Sequence, residues 1–170
     1  MTYNKERHKQ LIIRSQDLKN LGKNLFLENP KDDLELSKYN VVVEEHVFLI
    51  YQENFVLIMK NFLDNILDFD EFETAFSLLY EEVRKEVNMF KIDLEQIDKF
   101  QPIIRSYRFA SVIGSIYRQF EELEDEYCTD QDVKDYVKKA YLKFQKFVIL
   151  LFLIILYFVF IIQTYRPNFS

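Results

Sequence analysis

The run at residues 147–162, FVILLFLIILYFVFII, constrains this chain more than any other feature. It carries no charge, and the only polar side-chain atom in it is the hydroxyl of Tyr157. Adding Gln163, Thr164 and Tyr165 extends it to residue 165, roughly 28 Å of helix at 1.5 Å per residue. A bilayer's hydrocarbon core is about 30 Å thick. The competing reading is a buried core helix, but no other stretch is apolar all round and able to enclose it. The run is therefore expected to span a membrane once. Its position excludes a cleaved signal peptide. It has no Gly, Ala or Ser for close helix approach, and no acid or base for an ion relay. It reads as an anchor and not a pore.

The flanks set its orientation. Lys134, Lys138, Lys139, Lys143 and Lys146 precede it, and only Arg166 follows, in the tail RPNFS. The positive-inside rule places residues 1–146 on the cytoplasmic side, or the stromal or matrix side of an organelle. The same lysines can draw anionic headgroups, so membrane lipid is the first expected partner. The expected division is a soluble helical bundle over 1–130, a basic helical juxtamembrane segment over 131–146, the transmembrane anchor over 147–165 and a short tail over 166–170.

Charge is unevenly spread. Residues 1–25 are net +4, residues 26–133 net −15 and residues 134–146 net +4, within an overall −6. So acidic a chain is a poor ligand for nucleic acid, which needs clustered cations. Only 2 Gly and 3 Pro argue against turn-rich β folds and Gly-rich loop enzymes. Hydrophobic residues at 49% suffice for a core.

Apolar spacing predicts an all-α fold: an N-terminal helical bundle with a long C-terminal helix continuing into the single span. A first helix is expected over 4–28, with Leu11, Ser15, Leu18, Leu21, Gly22 and Leu25 on one face, ended by Pro30. Residues 31–40, KDDLELSKYN, read as a polar loop. A second helix follows over about 41–67, its stripe drawn through Val43, Val47, Ile50, Tyr51, Ile58, Phe62 and Ile66. Asp68 and Glu71 form a capping box for a helix burying Phe72, Ala75, Phe76, Leu79, Val83 and Val87. Asp93 and Gln96 suggest another box, with Ile92 and Ile97 as a hydrophobic staple. Pro102 suits the first turn of a helix reaching about residue 127, on which small Ala110 and Gly114 permit a close crossing. Thr129 or Asp130 caps a last helix that carries Val133, Tyr136, Val137, Ala140, Tyr141 and Phe144 toward the span.

No catalytic set emerges, and the expectation is a non-enzymatic protein with no cofactor and no bound metal. The acids of DNILDFDEFE miss the calcium-loop spacing, because Asn65 stands where that loop needs Gly. Neither His8 nor His46 has a Glu three residues before it, as a di-iron bundle requires. Cys128 is the only cysteine, so no intrachain disulfide is available, and it has no oxyanion loop to serve a nucleophile. Arg105, Arg108 and Arg118 are spaced to line one face and grip an acidic partner.

The chain is rich in Phe (17), Tyr (11), Ile, Asn and Lys, and poor in Gly, Ala, Arg and Pro. In that codon bias, its small size and its one membrane run, it resembles the uncharacterised reading frames of AT-rich algal plastid genomes. The resemblance implies a plastid membrane setting and carries no site residues; a bacterial inner-membrane protein is the rival. Two functions fit. The first is a tail-anchored protein-interaction module, an assembly factor or accessory subunit of a membrane complex. The alternative is an acidic helical inhibitor or immunity-type protein that binds a basic partner.

Overall fold

The computed structural model describes residues 3–102, 108–124 and 127–145. Among these residues all regular structure is helical and there is no strand. The helices are α1 (Lys5–Asn20), α2 (Leu25–Glu28), α3 (Pro30–Ile50), α4 (Gln52–Leu63), α5 (Phe69–Phe90), α6 (Leu94–Lys99) and α7 (Phe109–Glu124). Residues 130–145 are also helical and are called α8 below. No helix among the described residues is long and apolar enough to cross a membrane. The expected span at 147–165, Lys146 and the tail at 166–170 lie outside the described residues.

The pillars run up and down. Phe62 stacks on Phe72 with centroids 4.2 Å apart, while Phe55 meets Phe76 at 5.2 Å, so α4 and α5 are antiparallel. Phe48 touches Tyr80 and Glu44 pairs with Arg84, so α3 also opposes α5. Tyr80 stacks on Tyr117 at 4.2 Å and Phe76 meets Phe120 at 5.7 Å, which sets α7 against α5. Cys128 touches the Gln119 carbonyl and Phe144 packs on Phe109 at 4.9 Å, which sets α8 against α7. Between the pillars lies a core rich in phenylalanine, with Phe48, Phe55, Phe72, Phe76 and Phe109 fully buried. Each such ring contributes about 1.5–3 kcal/mol by leaving water.

Helix α8 belongs to this core. Val133, Val137, Ala140 and Phe144 are buried in the same cluster as α3, α5 and α7. The basic segment expected to lead from bundle to membrane is thus itself a bundle helix. Its start follows the expected cap: the Thr129 hydroxyl donates to Asp132 Oδ2 at 2.6 Å and accepts from the Asp132 N–H at 3.3 Å.

Several boundaries differ from the sequence reading, each for a local reason. Helix α1 stops at Asn20, because Gly22 takes φ +71 and the Lys23 N–H closes on the Leu18 carbonyl at 2.8 Å, a Schellman stop. Its buried face is His8, Leu11 and Ile12, while Leu21 is 72% exposed. The stretch at 31–40, expected as a loop, is the first half of α3. Asn29 accepts from the N–H groups of Lys31 and Asp32, and Pro30 takes the first helical position. The second helix is not continuous: the backbone breaks at Tyr51, with φ −92 and ψ 9, between α3 and α4. On these two helices Phe48 and Met59 go inside while Ile50 is exposed, and α4 ends at Leu63, which leaves Ile66 exposed in the following turn.

The Asp68–Glu71 capping box is present in full, and α5 buries Phe72, Phe76, Val83 and Val87. The second box is not: Asp93 accepts from the Glu95 N–H at 2.9 Å, and Ile92 is 62% exposed, so no staple forms with buried Ile97. Arg108 is not helical, and α7 starts at Phe109 instead of Pro102. Gly114 faces Tyr80 without an unusually tight crossing. A Cβ built on it meets the Tyr80 hydroxyl at 3.6 Å, an ordinary contact.

Candidate functional site

The lysines ahead of the apolar run divide into two kinds. Lys134 is half-buried. Its ammonium donates to Asn65 Oδ1 at 2.7 Å and lies 5.2 Å from the Phe62 ring centroid, so it ties α8 to the end of α4. Lys138, Lys139 and Lys143 are exposed on the outer side of α8, opposite the apolar side that enters the core. One helix thus presents phenylalanine and valine inward and ammonium groups outward, immediately before the apolar run. Among the described residues no ion pair joins Glu121, Glu122 or Glu124 to these lysines. Glu122 instead accepts from the Gln119 amide at 2.6 Å.

Of the three arginines, two lie among the described residues. Arg105 lies outside the described residues. Arg108 is exposed just before α7, and Arg118 is exposed on it, about 15 Å further along at 1.5 Å per residue. Arg108 instead borders a groove of about 480 Å³ between α3 and α7, lined also by Lys38, Val41, Glu44, Glu45 and Ser111. Both carboxylates of the groove are engaged. Glu44 pairs with Arg84 of α5 at 2.5 Å. Glu45 reaches the open start of α7, where the Ala110 N–H donates to its Oε2 at 3.3 Å. A side chain of α3 thus caps the start of α7. Burial still pushes the Glu45 carboxyl above its usual range, and the N–H groups of Ala110, Phe109 and Ser111 pull against that rise.

The basic residues near the N-terminus are used internally. Arg7 donates to Asp32 at 2.7 Å and to Glu35 at 3.0 Å, and Arg14 donates to Asp32 at 2.5 Å. Lys9 pairs with Asp98 of α6 at 2.8 Å, and Lys5 donates to the Asp98 carbonyl. Asp32 is buried, and two guanidiniums neutralise it. The hydrogen bond from Arg7 holds the Glu35 carboxyl below its usual range.

Neither histidine resembles a metal ligand. His8 is fully buried, with the Tyr3 hydroxyl 2.9 Å from Nδ1. Burial lowers the pKa of His8, and it pushes the Tyr3 phenol up to about 12. His46 packs edge-on against Phe100 at 4.8 Å, and burial lowers its pKa too. Among the described residues no three His, Cys, Asp or Glu gather to hold a metal ion. The Cys128 thiol donates to the Gln119 carbonyl at 3.4 Å. Burial and then Glu122 raise its pKa, which disfavours the thiolate a nucleophile needs.

Sequence reasoning missed Lys38, Glu45 and the Asp32 network. Asn29 before Pro30 was a readable signal for the start of α3, and so for Asp32 in its first turn. Nothing local marks Glu45, whose role arises across 65 residues of chain. In comparison with known proteins, no family model, no curated protein and no solved structure matches this chain.

Proposed function

We propose that this chain is a non-enzymatic, single-pass membrane protein whose helical bundle docks a protein partner at the membrane surface. It would serve as an assembly factor or accessory subunit of a membrane complex. One observation supports the reading: α8 holds four residues in the bundle core and three exposed lysines outside it, and only Lys146 separates it in sequence from the charge-free run at 147–162. The lysine bias sets residues 1–145 on the cytoplasmic or stromal side, and the codon bias favours a plastid membrane.

The alternative, an acidic inhibitor of a basic partner, draws on the −15 middle section. Part of that charge is engaged within the bundle: Asp32, Glu35, Glu44 and Asp98 are all in ion pairs. That leaves less of it to form one acidic patch, so the anchored module is preferred.

The test is alkaline carbonate extraction of membranes from cells making the full chain, followed by protease on sealed vesicles of known sidedness. The protein should stay in the carbonate pellet, and protease on the cytoplasmic or stromal side should remove the bundle. Release by carbonate would contradict the anchor, and protection of the bundle would contradict the orientation.

A further inference from the structure

The groove between α3 and α7 combines three properties. Lys38 and Arg108 both line it, and neither is in an ion pair among the described residues. The two carboxylates beside them are already engaged, Glu44 by Arg84 and Glu45 by the start of α7. Counting Arg84, three cations stand against the two carboxylates, so the wall keeps a net charge of +1. By contrast, the cations of α1 are taken up by Asp32, Glu35 and Asp98. The rim is apolar at Val41, which is 56% exposed one turn beyond Lys38 on α3.

The third property is position. Phe109, the residue after Arg108, packs on Phe144 with centroids 4.9 Å apart. The apolar run begins three residues after Phe144. Three residues span at most about 11 Å whatever their conformation. If that run enters a bilayer, Arg108 lies close to the headgroup layer, and Lys38 lines the same groove. Two cations beside an apolar rim match a phosphate carried on an acyl-chain lipid better than they match a free solute.

We propose that the α3–α7 groove binds the headgroup of an anionic phospholipid, with Arg108 and Lys38 on the phosphate and Val41 against the glycerol and upper acyl chain. This rests on the membrane reading of residues 147–165 and deepens it. The groove selects which lipid lies against the bundle, and it adds an attachment next to the exposed lysines of α8.

The chain contains no tryptophan, so one introduced indole reports one place. The full chain carrying Val41→Trp is reconstituted in vesicles of phosphatidylcholine with a minor fraction of phosphatidylglycerol, with one or the other lipid brominated. A second protein carries Tyr157→Trp in the apolar run. Per mole of brominated lipid, phosphatidylglycerol should quench the Val41→Trp indole at least about twofold more than phosphatidylcholine. Arg108→Gln with Lys38→Gln should abolish the preference, and Arg108→Lys should keep it. The Tyr157→Trp indole should be quenched by both lipids without that preference. Quenching of Tyr157→Trp with no preference at Val41→Trp would overturn the groove and leave the anchor standing. No quenching of Tyr157→Trp would overturn the anchor reading itself. In vesicles of phosphatidylcholine alone, millimolar inorganic phosphate should not change the Val41→Trp emission; a saturable change would assign the groove to free phosphate and overturn the lipid. Circular dichroism melts of the charge variants should match the parent, since both side chains border the groove outside the core.

Discussion

The two halves of α3 belong to regions held together by opposite physics. Its first half meets α1 through Arg7, Arg14, Asp32 and Glu35, charges that face one another across the helix contact. Its second half places Val43, Val47 and Phe48 in an apolar core with α5, α7 and α8. The first region buries Leu11, Ile12 and Tyr39 and rims them with charge, of which only Asp32 is itself buried. There the helix contact adds ion pairs at its edge to a smaller apolar stripe. Ion pairs of half-exposed arginines contribute modestly and are screened by salt. Packed aromatic rings contribute more and barely respond to salt. The α1 side should therefore loosen under mild conditions that leave the phenylalanine core intact.

The largest effect should come from removing α8. A chain ending at residue 129 loses Val133, Val137, Ala140 and Phe144 from the core and uncovers the Phe109 ring. It should show helical content without a cooperative melt by circular dichroism. A sharp transition near that of the full chain in detergent would put α8 outside the folding unit.

Within the aromatic region, Phe76→Ala should destabilise by about 3–5 kcal/mol. Its ring is fully buried against Phe55, Phe72 and Phe120. The denaturant midpoint should fall equally at low and high salt. In the charged region, Asp32→Ala should cost about 1–3 kcal/mol, because two arginines lose a buried partner but can rehydrate. Here the loss should shrink as salt rises, which sharpens the contrast. Equal salt dependence for the two variants would erase it.

Acid should also separate the regions. Burial lowers the pKa of His8 and His46, so the unfolded chain takes up their protons first, near the ordinary histidine value. Their contribution is complete above about pH 6.5 and declines as pH falls below it. The hydrogen bond from Arg7 lowers the pKa of Glu35, so that contribution holds down to the ordinary glutamate range and is lost only below it. A melt series should show two steps of weakening, and His8→Gln with His46→Gln should flatten the upper one. The smallest effect belongs to Lys138, Lys139 and Lys143. Changing all three to Gln should move the melt by less than about 0.5 kcal/mol, because solvated charges add little, while a reporter at each end of the chain shows mixed orientation.

The apolar region was far more legible in the sequence than the charged one. Phe72, Phe76, Val83 and Val87 keep helical spacing behind a capping box, and every one of them is buried. Val133, Val137, Ala140 and Phe144 likewise repeat at helical spacing and are buried. Residues 31–40 misled because periodicity counts only apolar side chains, and this helix buries Asp32. The break at Tyr51 has no Gly or Pro to announce it. It is stabilised from outside, by the Tyr51 hydroxyl donating to Glu86 of α5 at 2.6 Å. That contact spans 35 residues of chain. The candidate groove was hidden for the same reason: Lys38 stood in an apparent loop, and nothing local pairs Arg108 with it across 70 residues of chain.

The central claim is that α8 is core helix and membrane collar at once. Hydrogen exchange on the full chain in vesicles measures this most directly, since amides of a shared folding unit open only with the whole. Amides across 133–144 should exchange as slowly as those in the middle of α5 and α7, and should speed up with them in Phe76→Ala. Fast exchange of 133–144 while α5 and α7 stay protected would show that the segment only tethers the bundle, and would contradict the account.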